Sequence, residues 1–178
     1  MAFDKNKFDL IDLEDPTPDP YPYTAEEWGK EFAKNIDNYF SDGVCPYIYN
    51  DGTYFYIQVP PLVTNVTPFK TTLGNLYKNE SLTAEQWVEA LINETSDWWE
   101  TIVFNGEKME IAPPHTVTSW TGTVDATDAR AYLMISLKNL YMTETPPPVL
   151  PDFSIDEQDI LDTAAKKCYL VYPTMLLE

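Results

Sequence analysis

The chain has 178 residues, 44% of them hydrophobic, and sets 29 acidic against 11 basic side chains for a formal net charge of −18. That length and apolar content suit one domain with an ordinary core, and the charge argues against direct contact with nucleic acid, whose phosphates need clustered Lys and Arg. No apolar run approaches the roughly 20 residues that span a bilayer, and the N-terminus MAFDKNKFDL lacks the apolar centre of a secretory signal.

Residues 1–23 read as an extended acidic arm. Phe3, Phe8, Leu10, Ile11 and Leu13 alternate with Asp9, Asp12, Glu14 and Asp15 before a Pro-x-Pro-x-Pro stretch that favours an extended, polyproline-like path. Such a segment has too few apolar groups to fold alone, and its composition is that of an arm ordered by docking on another protein. The five apolar residues are therefore the expected partner-binding residues, and a frayed terminus is the plain alternative.

A globular region is expected over 24–144. Thr24 with Glu27, and Thr83 with Gln86, form the spacing of a capping box in the echoing stretches TAEEW and TAEQW. After the first, Trp28, Phe32, Ile36, Tyr39 and Phe40 recur at helical spacing up to a stop at Asp42-Gly43. After the second, the stripes Trp87, Leu91, Trp98, Ile102 and Val88, Ile92, Trp99, Val103 run to a stop at Asn105-Gly106, and the wider apolar face predicts deeper burial.

Between and after these helices, DGTYFYIQVPPLV and NGEKMEIAPPHTV each read as a turn, a short strand and a proline pair. A helix opening near Thr67-Pro68 follows the first. The second leads into a helix capped by Thr127 or Asp125, with Ala129, Leu133, Leu137, Leu140 and Tyr141 on one face. NLYKNE and NLYMTE close the two segments. Three echoes in one order point to tandem units, 24–80 and 83–144; convergence of common cap and turn chemistry would give the same echoes. A proline-rich connector at 145–152 precedes 153–178, where the capping box SIDE opens a last helix carrying Ile160, Leu161, Ala164, Ala165, Cys168 and Tyr169, a helix that a neighbour could exchange. The fold class is α+β, helix-rich, in one domain.

Signs of catalysis are sparse. His115 is the sole histidine, so no second imidazole can share a zinc ion, and Cys45 and Cys168 are too far apart for a metal or redox motif and read as core thiols. The Asp42 and Asp51 loops lack the sixth-position glycine of a calcium hand, and six glycines contain no phosphate-binding pattern. Asp97 and Glu100, beside Trp98 and Trp99, are the best pair for glycosidase-like chemistry; a solvated helix edge explains them as well. No cofactor or metal is expected, and the chain is expected not to be an enzyme.

The 25 aromatic residues (five Trp, twelve Tyr, eight Phe) exceed what a small core needs, and Tyr and Trp are favoured where proteins meet. With the opening helix EWGKEFAKNIDNYF, the helix DATDARAYLMISLKNLY and the proline-stiffened arms, the chain resembles small virion proteins of tailed bacteriophages, of the head-completion, neck, tail-completion or capsid-cement kind. The resemblance implies a non-catalytic assembly role, protein partners that are copies of itself or other virion proteins, and residence in a virion or an infected host's cytoplasm. An acidic DNA mimic that blocks a host nucleic-acid enzyme is the alternative, although the acids are thickest in the arm rather than arrayed on rigid helices. A carboxylate-dependent hydrolase ranks third.

Overall fold

A computed structural model describes residues 24–41, 49–58, 64–143, 155–171 and 175–176. In chain order its elements are α1 (Ala25–Phe40), β1 (Tyr49–Asn50), β2 (Tyr54–Gln58), α2 (Val66–Tyr77), α3 (Ala84–Glu100), β3 (Val103–Glu110), β4 (Val117–Asp125), α4 (Thr127–Thr143), α5 (Ile155–Ala165), β5 (Tyr169–Leu170) and β6 (Met175–Leu176). The strands form an antiparallel meander in that order, and the fold is α+β. The arm, Asp42-Gly43, Cys45, Pro60-Pro61, the connector and Ser154 lie outside the described residues.

Both expected capping boxes form. Thr24 Oγ1 accepts the Glu27 amide at 3.3 Å while the Glu27 carboxylate accepts the Thr24 amide at 2.6 Å; Thr83 and Gln86 repeat the exchange at 3.2 and 3.0 Å. Each helix so opened buries one stripe, and α1 and α3 bury eight residues apiece, so the second is not the deeper. The inner face of α4 is the expected Ala129, Leu133, Leu137, Leu140 and Tyr141, all buried.

Three boundaries differ from the sequence reading. α3 stops at Glu100, five residues before Asn105-Gly106, which lie inside β3. Burial there alternates with period two, and each strand glycine faces an aromatic across the sheet: Phe104 opposite Gly122, Gly106 opposite Trp120. The aromatics cover the backbone a glycine leaves bare, which makes a turn-like dipeptide tolerable in a central strand. α2 starts at Val66, so Pro68 is its third residue rather than its first; that amide is also unpaired in a helix, and the proline costs nothing. α5 ends at Ala165, and Tyr169 belongs to β5 rather than to a helical face. The last helix is also held within its own chain, as Tyr39 and Tyr141 bond to it.

Helix, hairpin, helix occurs twice in the element order, as two tandem units require. Tyr77 at the end of α2 packs on Phe32 of α1 at 6.1 Å, and Tyr141 at the end of α4 packs on Trp87 of α3 at 6.3 Å. The proline pairs do not correspond. Pro113-Pro114 joins β3 to β4, whereas Pro60-Pro61 follow β2 in the sequence. The helix pairs also differ in closeness: a Cβ on Gly29 would lie 2.3 Å from the Leu73 carbonyl oxygen of α2, while Val88 occupies the matching place in the echoing TAEQW helix.

Aromatic rings bind the two units into one core. Trp98 stacks on Phe69 at 4.6 Å and meets Phe40 edge-on at 6.3 Å, while Trp99 stacks on Phe40 at 5.3 Å. Trp87 stands edge-on to Tyr77 at 4.9 Å. Because Gly29 faces backbone, which cannot swing aside, Gly29→Ala should separate α1 from α2 and cost about 1–3 kcal/mol or more. Urea unfolding measures this; an unchanged midpoint would mean that the crossing is looser than described.

Candidate interaction surface

The carboxylates nominated for acid–base work sit on the exposed edge of α3. Arg130 of α4 pairs with Asp97 through Nη2 and lies 3.9 Å from Glu100 Oε1, the two acidic side chains being 60% and 40% exposed. Both face solvent and share one guanidinium, so their surroundings do not separate an acid from a base. They join α3 to α4, and Glu100 also accepts the Ala126 amide at 3.4 Å.

The other ionisable groups are likewise used by the fold. Asp51 Oδ1 accepts the amides of Thr53 and Tyr54 at 2.8 and 2.7 Å, and its Oδ2 accepts the Tyr56 hydroxyl at 2.8 Å. These bonds, the Tyr54 amide first, hold its carboxyl below the usual range and shape the turn in which Gly52 takes a φ of 89°. His115 is exposed in the β3–β4 turn with Nδ1 3.1 Å from the Glu110 carbonyl oxygen. Cys168 is a core thiol, its pKa pushed up by burial. Among the described residues no three His, Cys, Asp or Glu gather as metal ligands, and no helix is long and apolar enough to cross a membrane.

Two buried tyrosine–carboxylate bonds anchor α5. The Tyr39 hydroxyl of α1 donates to Asp162 Oδ1 at 2.5 Å, and the Tyr141 hydroxyl of α4 donates to Glu157. Lys166 Nζ donates to the other Asp162 oxygen at 2.8 Å. Burial first, then Asp162, keeps the Tyr39 hydroxyl protonated far above the ordinary tyrosine range.

What remains for a partner is on α4. Opposite its buried stripe, Ala131, Ile135 and Met142 are exposed, Ile135 by 73%, and Ile155 at the start of α5 is exposed by 74%. Between the two helices lies an open hollow of about 390 Å³ lined by Ser136, Asn139, Leu140, Asp156, Asp159 and Ile160. A further hollow of about 470 Å³ is lined by Asp128, Tyr132, Lys166 and Lys167, and Lys167 Nζ sits over the Tyr132 ring at 5.2 Å. The sequence did carry a signal for this surface, apolar residues on both sides of α4, but the search for a buried stripe used only one side. Phe3, Phe8, Leu10, Ile11 and Leu13 lie outside the described residues, so their partner-binding role is not addressed by the geometry.

Two tests follow from these bonds. Tyr39→Phe strips a buried carboxylate of its donor and should cost about 1–3 kcal/mol in urea unfolding; no loss would mean Lys166 alone satisfies Asp162. Glu26, hydrogen-bonded to Lys30 at 2.7 Å and Lys78 at 2.8 Å, is held at about 2 by those two bonds, below the ordinary 4.5. A depressed carboxyl stabilises the fold above the unfolded value, and the contribution is lost as pH falls through the folded one. Melting temperatures from about pH 5 downward should therefore fall less steeply for Glu26→Gln than for the parent chain; parallel curves would exclude Glu26 as a source of acid sensitivity. Comparison of the chain with protein-family models, curated proteins and solved structures found no match.

Proposed function

We propose that this chain is a non-catalytic assembly protein, a virion component of the kind that joins head, neck or tail parts in tailed bacteriophages, working through protein–protein contacts. The observation that carries the reading is the outer face of α4. A helix on a monomer's surface buries one stripe and turns charge to solvent, yet α4 has Ala131, Ile135 and Met142 on its exposed side. Its charged residues serve neighbouring elements instead: Lys138 bonds to Glu85 at 2.6 Å and Glu89 at 2.7 Å, and Arg130 to Asp97. Covering Ile135 would return about 1.5–3 kcal/mol, a sum that an interface collects and a free monomer forgoes.

The same pairing weighs against a DNA mimic. Such a protein would present free carboxylates at regular spacing, whereas Glu26, Glu85, Glu89 and Asp97 are each bridged to Lys or Arg. The N-terminal arm is the second proposed contact, on the composition of residues 1–23.

Ile135→Asp should leave the melting temperature nearly unchanged, because the residue supports nothing inside the domain, while lowering the mass measured by light scattering or abolishing capture of virion proteins. Deleting residues 1–20 should have the same effect through the arm. If both variants associate like the parent, neither surface is the contact.

A further inference from the structure

We propose that the free edge of β4 pairs with β4 of a second copy, antiparallel about a two-fold axis at Ser119. The ladder fixes which way each backbone group points. The Glu110 amide donates to the Thr116 carbonyl at 3.0 Å, so Thr116 and every second residue after it, Thr118, Trp120 and Gly122, turn their N–H and C=O toward β3. Val117, Ser119, Thr121 and Thr123 point the other way. At Thr123 the outward carbonyl is taken by the Val171 amide at 3.0 Å, where β5 joins β4 beside Val124 and Asp125. From Val117 to Thr121 no strand of the described residues lies on that side, and residues 112–119 and 121 are all exposed.

Protein edges of this kind are ordinarily blunted by charge, proline or a bulge. Here residues 117–124 contain neither proline nor a charged side chain, in a chain of net charge −18. That absence identifies the occupant. About a two-fold axis each residue meets itself or a near neighbour of its own kind, so any charge on the edge would face its like and oppose pairing. A foreign strand drawn to so acidic a protein would be met by carboxylates, and the edge has none. The register is self-complementary as well. Ser119 faces Ser119 of the second copy, Val117 faces Thr121, and the outward groups of all three are satisfied reciprocally. The hairpin stands clear of the core, which keeps the acidic helices of the two copies apart. Trp120 and Gly122 remain turned inward in both, so no core residue must move.

This pairing names one contact of the proposed assembly and rests on that reading; the outer face of α4 is not part of it. Cysteine cross-linking tests it on the full chain. Ser119→Cys, oxidised under mild conditions, should shift to a covalent dimer of doubled mass, because directly paired residues stand within disulfide reach. Val117→Cys alone should remain at the background set by Cys45 and Cys168, since its own copy would lie about 13 Å away along the strands. Val117→Cys mixed with Thr121→Cys should cross-link. Ser119→Pro removes an outward amide without touching the β3 ladder, and should abolish the non-covalent dimer with the melting temperature retained. Added salt should strengthen this dimer by screening the −18 on each copy; a charge-recruited partner would weaken.

Ser119→Cys that cross-links no more than Val117→Cys overturns the proposal, as does a dimer that survives Ser119→Pro. If the parent still associates in either case, and Ile135→Asp disrupts it, the assembly reading stands and only the edge is wrong. A chain that stays monomeric at every salt and concentration and captures no virion protein overturns both.

Discussion

Trp98 stacks flat on Phe69, meets Phe40 edge-on and donates its indole N–H to the Asn65 carbonyl at 3.3 Å, so one side chain of α3 touches α1, α2 and the residue that starts α2. The next residue, Trp99, is fully buried and stacks on Phe40. Consecutive residues on a helix point about 100° apart, and two tryptophans in succession therefore hold α3 against neighbours on two sides. The helix must end just beyond them. Thr101 closes the last turn, Ile102 is buried, and β3 begins at Val103. The sheet thus takes its position from the aromatic contact, and the first helix pair is joined by it to the second.

Much of this was legible because strong signals agreed. Capping boxes at Thr24 and Thr83 mark true helix starts, and the stripes after them and along α4 are buried where spacing placed them. The failures have a common physical origin in partners that one sequence window cannot see. Asn105-Gly106 carries turn chemistry, yet Trp120 and Phe104 across the sheet make the segment a strand. β5 and β6 are two residues each, too short for any period to declare, and exist because β4 extends past the end of its pairing with β3. The tandem reading holds for element order and for the paired tyrosines, and fails for the prolines, which are sequence neighbours of strands that do not correspond.

Charge and shape divide the molecule. Lysines and arginines are spent on helix-to-helix bridges, such bridges contribute little each, and the excess of acid confers solubility and mutual repulsion on copies of the chain. Contacts between copies must then occur where charge is scarce. The outer side of α4 and the edge of β4 meet that condition, one through apolar side chains and the other through backbone hydrogen bonds. They lie on different elements, so a chain using both could have more than one neighbour, as a ring or lattice requires.

The account depends on a single cooperative core organised around the end of α3, and native-state hydrogen exchange through a urea series tests that most directly. Amides of α1, α3 and β3 should reach a common opening free energy as global unfolding takes over. If α1 and α2 instead open together at a distinctly lower free energy while α3, β3 and α4 stay protected, the aromatic contact does not unite the two units and the central claim fails.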